Sequence, residues 1–189
     1  MKKLILIGVM VLTGCTGITS RVSPEASYQA FNTPYNSVGV RTVSSDKTFK
    51  EAGDLNSDFA SIIRTEGFAK DVYFPARPDD KVDITLDTKF ESSVDIHNPG
   101  LKGFFIGFTL FLIEPFVWFD FDYQFAGEVS VFKDKQLINK VSAKTDANIS
   151  AKYLSLSDLK KEQDEVLSKA KKSLFAQLLA GIYNVKARD

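Results

Sequence analysis

Residues 82–96 read Val-Asp-Ile-Thr-Leu-Asp-Thr-Lys-Phe-Glu-Ser-Ser-Val-Asp-Ile, with apolar and polar side chains in near-strict alternation. The even-numbered positions carry valine, isoleucine, leucine and phenylalanine, together with Thr88 and Ser92, whereas the odd-numbered positions carry mainly aspartate, lysine and glutamate. A period of two with this contrast indicates a β-strand in a sheet that has one buried face and one face in water. The chain is therefore expected to build a sheet that needs a cover on one side only.

The same alternation occurs twice more, at residues 119–131 and 137–151. The polar turn Lys133-Asp134-Lys135 separates these two stretches, which predicts that they pair as an antiparallel hairpin. Shorter strands are predicted at 37–43 and 71–76.

Two amphipathic helices are available to cover the apolar face. The first begins at Asp54, carries one apolar stripe and ends at Gly67, and the second occupies the C-terminal region. The apolar stripe of the second helix is Leu159, Val166, Leu167, Ala170, Leu174, Leu178, Leu179 and Ile182. Together these elements predict an α+β fold: a two-layer sandwich with a mostly antiparallel sheet of about five strands and two amphipathic helices on one face.

The N-terminal residues are typical of a targeting leader. Lys2 and Lys3 precede the apolar run Leu4–Leu12, which is too short to span a bilayer as a permanent helix. Leu12-Thr13-Gly14-Cys15 follows, and this motif resembles the lipobox of bacterial lipoproteins. The resemblance implies cleavage before Cys15 and a mature chain that begins with an N-acyl diacylglyceryl cysteine carrying palmitate-type chains. Two or more acyl chains are what stable membrane anchoring requires.

The resemblance also implies a location and a domain plan. Thr16 stands where an aspartate commonly retains Gram-negative lipoproteins at the inner membrane, so we expect lipid anchoring at the cell outer membrane, on its periplasmic face. We divide the chain into a signal peptide (1–14), an acylated tether (15–36) and a single α+β domain (37–189) with an apolar insertion (98–118).

Composition argues against several classes of function. The 24 basic and 24 acidic residues balance, and removal of Lys2 and Lys3 leaves 22 against 24, a net charge of −2 that gives no electrostatic case for nucleic acid. Cys15 is the only cysteine and His97 the only histidine, and no Gly-x-Ser-x-Gly turn or Gly-rich phosphate loop is present. We therefore expect no catalytic residues, no metal site and no cofactor, and we interpret the acidic residues at 83, 87 and 95 as solvated charges.

The insertion is the second unusual feature. Residues 103–118 are apolar on every side, and Glu114-Pro115 interrupts them after ten residues, so they do not form a transmembrane span. Three interpretations remain open: a buried plug, a segment that dips into the bilayer interface, and a docking surface for a partner protein or another copy. The predicted membrane- or partner-contact residues are Phe104, Phe105, Ile106, Phe108, Leu110, Phe111, Leu112, Ile113, Phe116 and Trp118.

The order of elements over residues 37–183 resembles that of the curli-secretion-channel-like and penicillin-binding-protein-activator-like envelope lipoproteins. The residues that carry this likeness, besides the lipobox, are the helix end Thr65-Glu66-Gly67-Phe68-Ala69-Lys70-Asp71-Val72 and the strand Val82-Asp83-Ile84-Thr85-Leu86. The resemblance implies a fold and a compartment, but no activity and no functional residues. Channel members have membrane hairpins with alternating residues, and the segment 103–118 departs from that pattern.

Two functions are therefore expected. The first is a non-catalytic assembly or accessory subunit of an envelope complex, in which residues 103–118 contact lipid, a partner or another copy. The alternative is a carrier or sensor that holds a lipid or another apolar ligand between the sheet and its cover.

Overall fold

The computed structural model describes residues 17–27, 31–32, 34–47, 49–97, 99–108, 117–152 and 156–186. Its strands are β1 (Ile18–Ser23), β2 (Tyr35–Lys47), β3 (Ala69–Tyr73), β4 (Ile84–Ile96), β5 (Trp118–Lys133) and β6 (Gln136–Lys152). Its α-helices are α1 (Leu55–Thr65), α2 (Pro99–Phe108) and α3 (Leu156–Lys186), and a short 3-10 helix spans Lys50–Ala52.

The strands form one six-stranded sheet in the order β1-β6-β5-β4-β2-β3. The long strands β4, β5 and β6 are antiparallel neighbours, whereas β2 runs parallel to both β3 and β4. A two-residue turn joins β5 to β6, and both of its residues, Asp134 (φ 49°) and Lys135 (φ 67°), have positive φ. Two positive φ angles match the twist of a tight hairpin, which confirms the predicted hairpin.

The predicted α+β class is confirmed, but the predicted sheet is only roughly right. The sheet is mixed and has six strands instead of about five, and the described residues hold three α-helices instead of two. The additional strand is β1, inside the range that we expected to be a tether, and it pairs with β6 along the sheet edge. The additional helix is α2, in the apolar insertion. Alternation gives the direction of side chains but not the choice of neighbour, which is why the parallel pairs escaped prediction.

Local sequence explains the bounds of α1. The Asp54 carboxylate accepts hydrogen bonds from the backbone N–H groups of Asn56 (3.1 Å) and Ser57 (3.2 Å), which satisfies two donors that the first turn leaves free. At the other end Gly67 has φ 66°, a conformation that glycine adopts without steric cost. The apolar stripe of α1 is buried, as predicted, through Leu55, Phe59 and Ile63.

Both α1 and α3 pack on the same face of the sheet, which we call the covered face. At its centre the rings of Phe59, Phe90 and Phe175 contact one another with centroids 5.4–5.7 Å apart. Gly127 lets α3 approach here, because a Cβ atom at this position would lie 2.8 Å from the Phe90 ring and 3.0 Å from Leu178. Side chains therefore fill the space where a carrier would hold a ligand at the sheet centre.

The opposite side of the sheet, the open face, carries the polar residues of the alternating pattern. It includes Asp87, Lys89 and Glu91 of β4 and Asp122, Gln124 and Glu128 of β5, all half-buried or exposed. On the covered face, α1 and α3 do not bury every apolar side chain of the sheet. Val94 and Ile96, which the alternation assigns to the covered face, are 39% and 41% exposed. The apolar layer of the sheet therefore extends beyond α1 and α3 at one end of β4.

Candidate functional site

Four chain segments meet at the end of the sheet where β4 finishes, which we call the Trp118 end. Here Ile96 pairs with Phe121, Trp118 pairs with Lys152, and Ile18 pairs with Ala151. The C-termini of β4 and β6 and the N-termini of β1 and β5 therefore lie side by side. Helix α2 begins at Pro99, three residues after β4, so the insertion starts at this same end.

The start of β1 fixes where the N-terminal region joins the sheet. The backbone N–H of Lys152 donates a 2.7 Å hydrogen bond to the carbonyl oxygen of Gly17, and Gly17 is buried. Cys15 lies outside the described residues, but it precedes Gly17 by only two positions. Since an extended chain spans at most about 3.6 Å per residue, the Cα of Cys15 lies within about 7 Å of the Cα of Gly17. The predicted acylation position is thus only two residues along the chain from the Trp118 end.

Large apolar side chains are exposed at this end. Leu101 and Phe104 of α2 are 58% and 65% exposed, and Trp118 is 36% exposed. Val94 and Ile96, the uncovered residues of β4, complete the group. We call Val94, Ile96, Leu101, Phe104 and Trp118 the apolar rim.

A polar network lies beside the apolar rim on the open face. Asp122 accepts hydrogen bonds from Asn148 Nδ2 (2.6 Å) and from His97 Nε2 (2.5 Å). These two bonds hold the pKa of the Asp122 carboxyl below its ordinary value. In turn, the hydrogen bond to Asp122 and the nearby charges of Asp122, Asp95 and Asp120 raise the pKa of the His97 imidazole above its ordinary value.

Asp120 makes the second half of this network. It accepts hydrogen bonds from Ser150 Oγ (2.7 Å) and from Lys102 Nζ (3.1 Å), and both lower the pKa of its carboxyl. Because Lys102 belongs to α2 and Asp120 to β5, this ion pair ties the apolar helix to the sheet. His97, which lies between β4 and α2, is likewise held to β5 by its hydrogen bond with Asp122. The network therefore fixes the base of the insertion on the open face.

Two lysines at the Trp118 end lie against aromatic rings. Lys152 Nζ is 5.4 Å from the ring centroid of Trp118, and Lys102 Nζ is 5.7 Å from that of Phe119. Both distances are within the range of a cation–π contact. An aromatic ring with an ammonium group beside it presents an apolar body and a charged tip, the combination that suits a boundary between apolar and aqueous surroundings.

The far end of the sheet, at the β5–β6 turn, is the hairpin end. Leu137 and Ile138 are exposed there, at 57% and 41%. Leu137 pairs with Phe132, fourteen residues along β5 from Trp118, so the two ends are separated by roughly 45 Å at the usual rise of a strand. Lys133, Lys135 and Lys140 surround the hairpin-end residues, so their apolar surface is interrupted by charge.

The predicted contact residues are placed only in part. Phe104 and Trp118 lie in the apolar rim, and Phe105, Ile106 and Phe108 lie along α2. Cys15 is outside the described residues, as are the other predicted contact positions, Leu110, Phe111, Leu112, Ile113 and Phe116. Their contact roles stay predictions. None of the described helices is both long and apolar enough to cross a bilayer.

Two features of this end were missed from the sequence. Val94 and Ile96 were assigned to a covered face, and only the length of the helical layer reveals their exposure. The network of His97, Asp120 and Asp122 was missed because it depends on cross-strand register. The even spacing of Asp120 and Asp122 already placed them on one face, but the pairing of Asp122 with Asn148 requires the observed alignment of β5 and β6. In the described part of the chain, no cluster of three potential metal ligands is found.

Comparisons with known proteins find similar solved structures, all at low sequence identity in the examples given below. No protein-family model and no curated protein matches the chain. A solved structure of a minor lipoprotein from Acinetobacter baumannii is similar with a TM-score of 0.43 and 10% identity, over 82% of this chain and 92% of that one. A dodecamer of a PelC variant from Paraburkholderia phytofirmans is similar with a TM-score of 0.40 and 16% identity, over 86% of this chain and 96% of that one.

Proposed function

We propose that the protein is a lipoprotein that Cys15 anchors to the outer membrane on its periplasmic face, where it acts as a non-catalytic assembly or accessory subunit of an envelope complex. In this proposal residues 103–118 contact lipid or a partner protein. One observation carries it: the short chain between Cys15 and Gly17 and the exposed apolar rim belong to the same end of the sheet.

Charge and geometry support an accessory role. Ion pairs on the open face include Arg41 with Asp87 (2.7 Å) and Lys140 with Glu128 (2.9 Å), so these four charges are paired within the protein. The hairpin end projects roughly 45 Å from the Trp118 end, which leaves it accessible to other components of an envelope complex.

Metabolic labelling tests the anchor. Cells that express the wild-type chain are fed a palmitate analogue, and the mature protein is isolated from separated inner and outer membranes. We expect label in the outer-membrane fraction, and its loss in a Cys15→Ser variant that is still expressed. If the wild-type protein is unlabelled, the proposed acylation at Cys15 is wrong. If the label is confined to the inner membrane, the proposed outer-membrane location is wrong.

Photocrosslinking in cells tests the accessory role. A photoreactive amino acid is placed separately at Phe104 in the apolar rim, at Leu137 at the hairpin end and at Glu91 on the open face, all exposed positions. An accessory subunit is expected to yield a discrete protein adduct from at least one position, which mass spectrometry then identifies. If all three positions give only unlinked protein or lipid adducts, the accessory role is wrong even when the anchor is confirmed.

A further inference from the structure

We infer that the apolar rim is a membrane-docking surface that inserts into the interfacial zone of the bilayer, so that the protein stands on the membrane with its strands pointing away from it. This inference rests on the proposed anchoring at Cys15. It goes further by committing the rim to one occupant, a lipid bilayer, in place of a partner protein or a second copy.

The first argument is the length of the chain outside the sheet. Residue 17 is fixed by its hydrogen bond to Lys152, and a chain of two residues reaches at most about 7 Å. An acylated Cys15 therefore holds the Trp118 end against the headgroup layer. Any other occupant of the rim would have to fit between that end and the bilayer.

The second argument is the chemistry of the rim. Tryptophan, phenylalanine and aliphatic side chains favour the boundary between headgroups and acyl chains, and lysine stems there let their ammonium groups reach water. Trp118 with Lys152 beside its ring has this character, and Leu101 and Phe104 supply purely apolar surface. The rim lies at one end of the sheet, and its β4 residues Val94 and Ile96 belong to the covered face, so it can enter the interface without submerging most of the polar open face.

The charges near the rim predict which lipids matter. Asp120 pairs with Lys102, and Asp95 and Asp122 lie near His97, so acidic groups offset the positive charge beside the rim. Docking should therefore depend on apolar contact more than on anionic headgroups. Zwitterionic phosphatidylcholine vesicles are accordingly sufficient as a probe.

Trp118 is the only tryptophan in the chain, so its fluorescence reports on the rim without labelling. The acylated full-length protein is reconstituted into phosphatidylcholine vesicles, and co-flotation confirms that it is bound. The vesicles are then prepared with lipids brominated either near the headgroup end or near the terminus of the acyl chain. We expect strong quenching of Trp118 emission, greater for the shallow bromine than for the deep one, and an emission maximum at shorter wavelength than in detergent-free buffer.

A matched variant tests whether the hairpin end also contacts the bilayer. Trp118→Phe combined with Leu137→Trp moves the single indole to an exposed position at the hairpin end, roughly 45 Å away, where we expect no quenching in the same vesicles. A second variant keeps Trp118 and carries Leu101→Ser and Phe104→Ser, at positions that are 58% and 65% exposed. We expect it to float normally but to lose most of the quenching.

The outcomes separate the docking surface from the anchor. A protein that fails to float lacks the acyl anchor, which overturns the proposed function on which this inference rests. A protein that floats with unquenched Trp118 overturns docking, and a short-wavelength emission without quenching would indicate a second copy on the rim. Equal quenching of the indole at both ends would show that the protein lies flat, which also overturns the inference.

Discussion

The covered face and the open face of the sheet are formed by the same strands, but they contribute differently to the stability of the fold. On the covered face Phe90 and Gly127 are buried under α1 and α3, whereas their neighbours Glu91 and Ala126 lie on the open face. Burial of apolar side chains gives the covered face most of its contribution to stability. Exposed ion pairs such as Lys89 with Glu91 contribute only about 0–1 kcal/mol each. Adjacent residues should therefore respond very differently to substitution, and the open face can be altered without loss of the fold.

The largest difference should appear at Phe90 and Glu91. Phe90→Ala removes a ring that contacts Phe59 and Phe175, and we expect it to lower the free energy of unfolding by about 3–5 kcal/mol. Glu91→Ala, one residue away, should cost no more than about 1 kcal/mol. Urea unfolding followed by circular dichroism measures both. Similar losses would mean that the two faces are not distinct in energy.

Larger side chains at Gly127 and Ala126 provide a second comparison of the covered face with the open face. Gly127→Val places new atoms against the Phe90 ring and Leu178, and we expect a loss of about 1–3 kcal/mol from overpacking. Ala126→Val adds two methyl groups on the open face, where it should change stability by no more than about 0.5 kcal/mol. Thermal unfolding of the pair checks this prediction. A Gly127→Val protein as stable as the wild type would contradict the close approach of α3.

The covered face also contains a polar contact that the apolar pattern does not account for. The hydroxyl of Thr88 donates a 2.6 Å hydrogen bond to Asn56 Oδ1 of α1, and both residues are buried. Thr88→Val keeps the shape but leaves the amide oxygen without its donor, so we expect a loss of about 1–3 kcal/mol. Thr85→Val on the open face is the control, with an expected change within about 0.5 kcal/mol. Equal effects at the two threonines would show that the buried bond contributes nothing.

The smallest effect concerns the polar network at the Trp118 end. The hydrogen bond to Asp122 raises the pKa of His97 above its ordinary value of 6.5, so the protonated form is favoured in the folded state. Its contribution to stability is fully present below about pH 6.5 and is lost as the pH rises through the raised pKa. We expect the wild-type melting temperature to fall slightly more than that of His97→Gln between about pH 6 and about pH 8.

Asp122→Asn supplies the control for that measurement. It removes the carboxylate that raises the pKa of His97 while keeping the size of the side chain, so it should flatten the pH dependence to a similar extent. Parallel melting curves for all three proteins across this pH range would mean that the imidazole does not contribute to folding stability.

The sequence predicted those parts of the fold that depend on periodicity. The alternation in 82–96 gave the position of β4 and the direction of most of its side chains, and the stripe from Leu55 to Ile63 gave the buried face of α1. β1 was missed because Ile18–Ser23 is short, rich in serine and threonine, and becomes a strand only through its pairing with β6. α2 was missed because residues 99–108 are apolar all round and contain three glycines, so no helical period is visible.

The candidate site was less predictable than the fold for a related reason. Phe104 and Trp118 stood out as aromatic residues in an apolar segment, and the structure places both in the rim. Val94 and Ile96 belong to the rim because α1 and α3 leave them exposed. The alternation within β4 does not show how far these helices extend over the sheet. The convergence of Gly17 with Trp118 likewise arises from the order of strands in the sheet, which a pattern along one chain does not specify.

The bond between Gly17 and Lys152 has a consequence for how the protein would find other molecules. Because only two residues would separate the acyl chains from the sheet, an acylated chain would meet other membrane-bound proteins by lateral diffusion in two dimensions. The effective concentration of those proteins around it would be high. In the proposed orientation, the length of the strands would limit the height of the farthest side chains to roughly 45 Å above the lipid. Whatever it meets must share that membrane or descend to this height.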